Sequence, residues 1–400
     1  MKNKKPKQIL VIDGFIPLHL ALRALGAELT IICEVGRLGV KYPKLYKRRL
    51  QLSQGYSVEE AIAVARDLHA IDPFDGIVNS HEKNQDITAA IAEALQLPYH
   101  TSQTIACIYN KDAMRQRLEQ AGLPELAHQM VENISALEAF ARAYDYPFVV
   151  KPVAGWGSQG VKVINNEGEL ADYQADLCFP VYVEEYIQGT EYSVETFSEN
   201  GEHALLGITK KIKLADTCIE IGHAFPADLP GTLRDKIFDY VQRVLTGVGL
   251  RFGPAHTEVI VRPDHSLQVI ETHNRFGGDK IDELMKYALG VDPLMLWARQ
   301  VLGEQVLSEV KKLRPQREAA VWFLHTREAG RLATLPPITL MKEANVLDIH
   351  YFKAVGDAVE AITDSFSRLG YVVVQGQSQE EALLLAQRVA QRIEEGWRVE

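Results

Sequence analysis

The sequence predicts a mixed α/β protein, α+β in parts, in which a parallel α/β unit comes first and antiparallel hairpins follow. Residues 7–100 alternate between short apolar runs and helical patterns, which is typical of a parallel sheet covered by helices. Residues 254–280 differ, because two apolar-rich runs there flank a turn-forming cluster at residues 262–266. A length of 400 residues suits two or three domains better than a single core.

The N-terminal unit has three predicted strands, each followed by a helical pattern. The strands cover residues 8–12, 28–33 and 76–79, and the helices cover residues 18–25, 58–68 and 86–95. Ser57 and Glu60 form a capping box that begins the second helix. The first turn lacks the GxGxxG pattern, which argues against a dinucleotide site.

Three polar residues, Ser80, His81 and Glu82, follow the last of these strands. Open α/β sheets bind ligands at the carboxyl ends of their strands, so these residues are candidates for a ligand contact. An ordinary polar loop explains them equally well.

A lysine and a glycine-rich segment suggest a phosphate site in the middle of the chain. Residues 147–150 form an apolar strand that ends at Lys151, and the segment 154–160 with three glycines precedes a second strand at 161–164. Backbone N–H groups and an ammonium of this kind can cover phosphates, although a flexible hairpin with a surface lysine is the alternative. Lys111, before a predicted helix at 113–121, means little by itself.

A strand–turn–strand corner at residues 181–195 is the next candidate. An apolar strand runs into Glu184 and Glu185, turns at Gly189 and returns as a second strand through Glu191. Such a corner can offer backbone groups to a purine and a carboxylate to ribose hydroxyls, and a plain sheet connection is the alternative.

The hairpin at 254–280 carries the most specific pattern. If it is symmetric about Asp264 and His265, Glu258 lies opposite Glu271, and strand alternation places Glu271, His273 and Arg275 on one face. Two carboxylates about 5 Å apart repel by about 3 kcal/mol at an effective dielectric near 20. A bound Mg²⁺ or Mn²⁺ offsets that repulsion, whereas a solvated hairpin is the simpler reading of the strand pattern alone.

The segment that follows this hairpin favours a binding site over a solvated hairpin, because it can contact an anion. Arg275 is followed by Phe276, Gly277 and Gly278. A guanidinium and two glycines allow the backbone to approach an anion closely.

Composition limits the partners. The net charge of −10 argues against nucleic acid as the main partner, and no apolar stretch approaches the roughly 20 residues of a membrane span. The four cysteines are scattered without a CxxC pattern, so we expect a reduced, cytoplasmic compartment. A homodimer is compatible with the sequence.

The C-terminal part is predicted to contain strands at 318–326, 346–351 and 371–374 and a helix from Ser378 to about residue 394. No residue there suggests chemistry, and we expect this part to close one side of the site.

Taken in order, these segments resemble the ATP-grasp superfamily. The resemblance implies an ATP-grasp fold with an N-terminal parallel α/β domain (1–100), a two-part ATP-binding core (101–300, with a lid at about 130–195) and a small C-terminal α+β domain (301–400). It further implies ATP and two Mg²⁺ ions, which Mn²⁺ can replace, as cofactors. The implied nucleotide ligands are Lys111, Lys151, Ser158 and Gly160 for phosphates, Glu184, Glu185 and Ile187 for adenine, and Glu191 for ribose. Glu258 and Glu271 would bridge the metal ions, and Arg275 and Lys151 would be catalytic.

One motif departs from the family pattern Glu-x-Asn-x-Arg. Here the register reads Glu271-x-His273-x-Arg275, and Asn274 lies one place away on the opposite face. Either His273 is a metal ligand, or the metal relies on Glu271 and water.

Within the superfamily the chain is most similar to bacterial L-amino acid ligases, which join two amino acids into a dipeptide. Glu220 and His223 resemble that group's Glu-x-x-His segment, and residues 356–376 resemble its C-terminal domain. The resemblance implies that Glu220, His223, Arg275, Gly277 and Gly278 contact the substrate, and His81 is a further candidate. An exposed strand pair is the alternative for Glu220 and His223.

Three other functions stay open at this point. The same chemistry could use a different acid, or a thiol or sugar amine as acceptor. A kinase-like phosphotransfer would release no free phosphate. A nucleotide-binding module without turnover is disfavoured, because both lysines, both metal acids and the arginine are retained.

Overall fold

The structure is a computed structural model, and it describes residues 5–14, 16–37, 44–124, 126–153, 160–174, 177–215, 217–341 and 343–400. Ser158 and most of the glycine-rich segment lie outside these residues. Within the described ranges, no helix is both long enough and apolar enough to span a membrane.

The N-terminal part is a parallel sheet in the order β3-β2-β1-β4 with helices between its strands, as predicted. Its elements are β1 (Gln8–Ile12), α1 (Ile16–Ala24), β2 (Glu28–Glu34), β3 (Arg48–Leu52), α2 (Val58–Ile71), β4 (Gly76–Val78) and α3 (Gln85–Leu95). The predicted N-cap is confirmed, because the Ser57 hydroxyl oxygen accepts a hydrogen bond from the Glu60 N–H at 3.1 Å. Strand β3 was not predicted, since it lies at the sheet edge and its sequence is mostly polar.

Two helices and a four-stranded antiparallel sheet follow. They are α4 (Ser102–Tyr109), α5 (Lys111–Gln120), β5 (His128–Val131), α6 (Ile134–Tyr144), β6 (Phe148–Pro152), β7 (Lys162–Ile164), α7 (Glu167–Tyr173) and β8 (Val181–Glu185). The strand order is β5-β8-β6-β7, and α6 packs its apolar face on this sheet. The sheet spans much of the range predicted for the lid, and its role as a lid stays a prediction.

The rest of the chain is built on an eight-stranded antiparallel sheet in the order β13-β12-β9-β10-β11-β14-β18-β16. Its first elements are β9 (Thr190–Glu199), β10 (Glu202–Lys213), β11 (Glu220–Phe225), α8 (Gly231–Val248), β12 (Gly253–Val261), β13 (Leu267–His273), α9 (Ile281–Leu289), α10 (Pro293–Val301) and α11 (Leu307–Val310). The later elements are β14 (Glu318–Leu324), β15 (Gly330–Thr334), β16 (Val346–Tyr351), β17 (Ala358–Val359), β18 (Gly370–Gly376), α12 (Gln379–Gly396) and β19 (Arg398–Val399).

This sheet runs without a break across residue 300, so the C-terminal strands extend the same layer as the central ones. A short 3₁₀ helix (Ile338–Met341) and a small sheet of β17, β15 and β19 complete the C-terminal part. Helix α12 packs on β14 and β18. The predicted boundary at residue 300 stays a prediction.

The two faces of the large sheet have different roles. Residues Ala255, Val259 and Val261 of β12 point towards α8 and form a buried core with it. The alternate residues His256, Glu258 and Ile260 point to the opposite face, where they line a large cavity. Period-two alternation in one strand therefore separates the core from the site.

Candidate active site

A cavity of about 2070 Å³ lies between the carboxyl end of the parallel sheet, the four-stranded sheet and the large sheet. Every candidate residue that the structure describes lines it, apart from Gly160. They are His81, Lys111, Lys151, Glu184, Glu185, Ile187, Glu191, Glu220, His223, Glu258, Glu271, His273, Arg275, Gly277 and Gly278. Residues that lie far apart in the sequence are thus brought to one place.

The predicted carboxylate pair forms at the centre of this cavity. Glu258 and Glu271 are direct cross-strand partners. Glu271 Oε1 lies 3.0 Å from the Nε2 atom of His273, and Glu258 Oε1 lies 3.2 Å from the Nε2 atom of His256. Burial would raise the pKa of Glu271, but the contact with His273 outweighs it and lowers that pKa to about 2. Both carboxylates are therefore held ionised.

A buried lysine supplies positive charge to one member of this pair, Glu258. The ammonium of Lys211, on β10, lies 2.9 Å from Glu191, 2.6 Å from Glu220 and in hydrogen-bond contact with Glu258. Its side chain is 2% exposed. Burial opposes the charge, yet the attraction of the three carboxylates raises the pKa of Lys211 well above its usual value.

Sequence reasoning missed Lys211. Its three partners lie 20, 9 and 47 positions away, and only the register of four neighbouring strands brings them to one ammonium. The lysine-rich end of β10 offered a weak signal, because Lys211 and Lys213 alternate onto one face and both contact Glu191. Glu191, expected to hold ribose, is thus also an anchor for two lysines.

The predicted phosphate and adenine groups meet where β6 and β8 pair. Lys151 forms an ion pair with Glu184, and Arg115 lies 3.6 Å from the same carboxylate. The Glu184 side chain therefore holds Lys151 in place, and its own strand pairs with β5 on one side and β6 on the other. The adenine contact of Glu184, Glu185 and Ile187 stays a prediction. Lys111 is the first residue of α5 and lines the same cavity.

The N-terminal part contributes a carboxylate to the arginine. Arg275 forms an ion pair with Glu82, and its Nη1 atom donates to the carbonyl oxygen of Phe276 at 2.7 Å. His273 Nδ1 lies 3.9 Å from Glu82 Oε1. His81 lines the cavity beside it. The polar residues after β4 thus reach the hairpin.

Asn274 lies on the opposite face from Glu271, as strand alternation predicts. Its amide is 2% exposed, accepts a hydrogen bond from the Tyr109 hydroxyl at 2.8 Å and donates to Gln85 at 2.9 Å. Asn274 therefore joins the hairpin to helices α3 and α4 and points away from the carboxylates. Whether His273 binds metal stays a prediction, since its Nε2 atom lies against Glu271.

A second acidic group lies beside the first, around His223. Its ring is fully buried, and Nε2 lies 3.3 Å from Glu220 and 3.7 Å from Asp279. The burial of His223 excludes the exposed strand pair as an explanation. Asp279, whose position directly after Gly278 makes it a candidate for the substrate pocket from the sequence as well, completes this group.

The two glycines differ in what their backbone can do. The Gly277 N–H already donates to Glu195 Oε2 at 3.3 Å, and Glu195 also holds the buried His256 ring at 2.7 Å. Glu195 thus takes the Gly277 N–H, so the prediction that the backbone of both glycines approaches an anion is corrected for this donor. For Gly278 it stays a prediction.

We expect Gly277→Ala to destabilise the protein and Gly278→Ala to leave it unchanged. A Cβ atom at Gly277 would lie 2.7 Å from His256 Nδ1 and 2.9 Å from Ile281, whereas a Cβ atom at Gly278 meets nothing within 4 Å. Overpacking of this kind costs about 1–3 kcal/mol. Urea unfolding of both variants measures the difference, and equal stabilities would contradict the packing described here.

The acidic groups suit a hard divalent ion. Oxygen atoms of Glu191, Glu220 and Glu258 lie within 4.8 Å of one another, and Glu271 faces Glu258 across the hairpin. Carboxylate oxygens are the ligands that Mg²⁺ and Mn²⁺ prefer. The donor set therefore fits the expected metal, with Glu258 and Glu271 as the proposed ligands.

Comparison with known proteins matches two parts of the chain to described families. Residues 144–283 match the ATP-grasp domain, and residues 322–397 match the L-amino acid ligase C-terminal domain 2. An uncharacterised protein, y4rH of Sinorhizobium fredii, is 27% identical over 333 residues, which cover 80% of this chain and 67% of the relative.

Two solved structures share the fold over nearly the whole chain. The L-amino acid ligase of Bacillus licheniformis has a TM-score of 0.85 at 24% identity, with 100% of this chain and 99% of that chain covered. The biotin carboxylase domain of Hydrogenobacter thermophilus 2-oxoglutarate carboxylase, solved as a dimer with MgADP, ADP and bicarbonate, has a TM-score of 0.71 at 16% identity, with 98% and 90% covered. The chain therefore has the ATP-grasp fold that the sequence predicts.

Proposed function

We propose, from the premise that this chain is an ATP-grasp ligase that forms C–N bonds and carries an L-amino acid ligase C-terminal domain, that it joins two L-amino acids into a dipeptide. One observation carries the proposal. The acidic group at Glu220, His223 and Asp279 suits an ammonium, and it shares Lys211 with the carboxylate pair proposed to hold metal. An amino acid bound there has its carboxylate close to the site of phosphoryl transfer.

The first step transfers phosphate to this amino acid. An oxygen of its carboxylate attacks the γ-phosphorus of ATP, the bond to the β-phosphate oxygen breaks, and ADP leaves an acyl phosphate. Lys111 and Lys151 hold the phosphates, and Mg²⁺, when bound by Glu258 and Glu271, supplies further positive charge for them. Arg275 stabilises the charge on the transferred group, as fixed cations do in such reactions.

The second step forms the amide. The amine of the second amino acid attacks the acyl carbon, the bond from that carbon to the phosphate oxygen breaks, and the amine proton passes to the departing inorganic phosphate. Arg275 and the Gly278 N–H stabilise the oxyanion of the tetrahedral intermediate, a charge that appears only after attack. Because no nucleophilic side chain takes part, the mechanism needs neither a serine nor a cysteine.

Binding energy for the first substrate comes from paired charges. Glu220 and Asp279 attract its ammonium, while the buried His223 between them accepts or donates a hydrogen bond. The second candidate function is ligation with another acid or another acceptor. It uses the same reaction steps, but a different molecule occupies the position of the first or the second amino acid. A nucleotide-binding module without turnover has no use for an ammonium pocket.

A screen of all amino acid pairs with ATP and Mg²⁺ tests the proposal. We expect phosphate release with some pairs, in amounts that match a product whose mass is the sum of the two amino acids less one water. Phosphorylated product without free phosphate would indicate a kinase, and phosphate release without any dipeptide would contradict the proposal.

Hydroxylamine separates the two halves of the reaction. It captures an acyl phosphate as a hydroxamate without a second amino acid, so it identifies the acid even if the natural acceptor is a thiol or a sugar amine. Hydroxamate formation from an amino acid, with no dipeptide from any pair, would support the alternative acceptor. No ADP under any of these conditions would favour the non-catalytic module.

A further inference from the structure

An arginine of the C-terminal part is buried beside the proposed amino acid pocket. The side chain of Arg368, which precedes β18, is 2% exposed. Its Nη1 atom donates to Asp279 Oδ2 at 2.6 Å, and its Nη2 atom donates to Ser365 Oγ at 2.9 Å. Its guanidinium carbon lies 3.9 Å from the centre of the Phe323 ring. Three separate contacts thus fix the orientation of one guanidinium.

The loop that carries Arg368 is itself held by local hydrogen bonds. Asp364 Oδ1 accepts from the N–H groups of Phe366 and Ser367, and Ser367 Oγ accepts from the N–H of Thr363 at 3.0 Å. A loop closed in this way presents Ser365 and Arg368 as a fixed surface. It faces the cavity, which Ser365 and Arg368 both line.

The partner of Arg368 occupies a conformation that ordinary residues rarely adopt. Asp279 has φ +52° and Lys280 has φ +70°, directly after Gly277 and Gly278. Backbone of this kind persists only where surrounding contacts hold it. The ion pair to Arg368 is such a contact, and it determines where the loop after Arg275 places its carboxylate.

The Asp279 carboxylate also contacts the proposed amino acid pocket. Asp279 Oδ2 lies 3.7 Å from His223 Nε2, and His223 lies 3.3 Å from Glu220. The Phe323 ring contacts both His223 and Arg368. It packs edge-on against the His223 ring, with 5.8 Å between the ring centres, and its face lies against the Arg368 guanidinium. Removal of Arg368 therefore frees Asp279, which lies beside His223, and uncovers one face of the Phe323 ring that packs on His223.

We propose that Arg368 is a positioning residue of the first amino acid site, which acts through Asp279 and His223 and makes the C-terminal part necessary for substrate affinity. This inference rests on the proposed function for the identity of the ligand. A lysine cannot replace the arginine fully, because an ammonium lacks the planar fork that reaches Asp279 and Ser365 and stacks on Phe323. The predicted role of the C-terminal part, a wall without chemistry, is thereby extended.

Steady-state kinetics on the full chain test the inference, with an equimolar mixture of the twenty L-amino acids as the probe. We expect Arg368→Gln to raise the mixture concentration that gives half-maximal phosphate release by about tenfold or more, while the half-saturating ATP concentration stays within about twofold. Arg368→Lys should fall between this variant and the wild type. Arg388→Gln is the matched control, because Arg388 lies on α12, is 61% exposed and pairs only with Glu343 among the ion pairs of the described residues.

A second variant removes the same ion pair from its other end. Asp279→Asn should raise the half-saturating amino acid concentration as well, and the double variant Asp279→Asn/Arg368→Gln should do so no more than the larger single effect. Fully additive effects would overturn the proposed route through Asp279. An equal rise in the half-saturating concentrations of ATP and of amino acids would also overturn it, since that outcome indicates a general structural role.

A readout that needs no turnover separates this inference from the proposed function. The ring signals of His223 in the NMR spectrum, assigned by their loss in His223→Asn, should shift in Arg368→Gln and stay in place in Arg388→Gln. A wild type that releases no phosphate with any amino acid would overturn the proposed function. Unchanged His223 signals in Arg368→Gln would overturn the positioning role, whatever the wild type does.

Discussion

Arg275→Met should lower the rate of amino-acid-dependent ADP formation by about 10²–10³-fold or more, the usual effect of removing one preorganised donor from a charged transition state. Arg275 is 19% exposed and lies on the same face as Glu271, with its guanidinium directed into the cavity. Measurement of ADP formation at saturating ATP and amino acids checks this directly.

The control for this variant is Arg262→Met, at the turn of the same hairpin. Arg262 is 32% exposed and lies 3.4 Å from Glu185, a predicted adenine ligand, so the substitution removes the same charge away from the proposed reaction centre. Saturating ATP in both assays offsets any loss of nucleotide affinity that the lost contact with Glu185 causes. Near-normal turnover by Arg275→Met would contradict the assignment of Arg275. A large loss of turnover in Arg262→Met would show that net charge, and not the position of Arg275, causes the effect.

Stability must be followed separately, because Arg275→Met leaves Glu82 beside His273 without its arginine. The double variant Glu82→Gln/Arg275→Met removes both charges and should recover any stability that the single variant loses. It should recover no activity. This pair of measurements separates a fold defect from a loss of catalysis.

The carboxylate pair of the hairpin was predicted correctly, although the prediction did not include the β-bulge beside it. A hairpin symmetric about Asp264 and His265 does place Glu258 opposite Glu271, as found. Val261 pairs with Leu267, so the turn is centred on Asp264, half a residue before the predicted centre. A bulge at the step from Val259 to Glu258 then shifts the register by one residue and restores the predicted pairing. The two offsets cancel.

That bulge also decides which way Glu271 points. Strict alternation along β13 would place Glu271 on the face of Leu267 and Val269, which belong to the core under α8. The extra residue, Ile270, reverses the alternation, so both Ile270 and Glu271 line the cavity. Bulges depend on pairing between strands and leave no reliable mark in one strand's sequence.

Other parts of the site were predictable for local reasons. The strand that carries Lys151, and the position of Asn274 opposite Glu271, follow from alternation and turn chemistry within a few residues. Lys211, Arg115 and Arg368 were missed because each acquires its role from partners in distant segments. A buried cation cannot be distinguished from a solvated one until the sheet order is known.

The prediction with the largest effect on stability concerns Lys211. Lys211→Met leaves Glu191, Glu220 and Glu258 with oxygen atoms within 4.8 Å of one another and without the shared ammonium. Removing one partner of a buried ion pair costs about 3–5 kcal/mol. We expect the free energy of unfolding at pH 7 to fall by about that amount, whereas Lys210→Met, the neighbouring substitution on the other face of β10, should change it little.

The response of Lys211→Met to Mg²⁺ and to pH distinguishes charge repulsion from lost packing. In the wild type, burial opposes ionisation but Lys211 and His256 hold the pKa of Glu258 well below its ordinary value of 4.5, so stability is present above pH 4.5 and is lost only as pH falls through the lowered pKa. Without Lys211 the carboxylates repel, at least one pKa rises above 4.5, and stability is lost as pH rises through it. Burial raises the pKa of Asp282 to about 6 and that of Glu318 to about 7, so both proteins gain some stability on mild acidification. The variant should gain more than the wild type on acidification, and also on addition of Mg²⁺ at pH 7. A stability difference between variant and wild type that is the same at pH 7 and pH 5, with and without Mg²⁺, would show that Lys211 contributes packing alone.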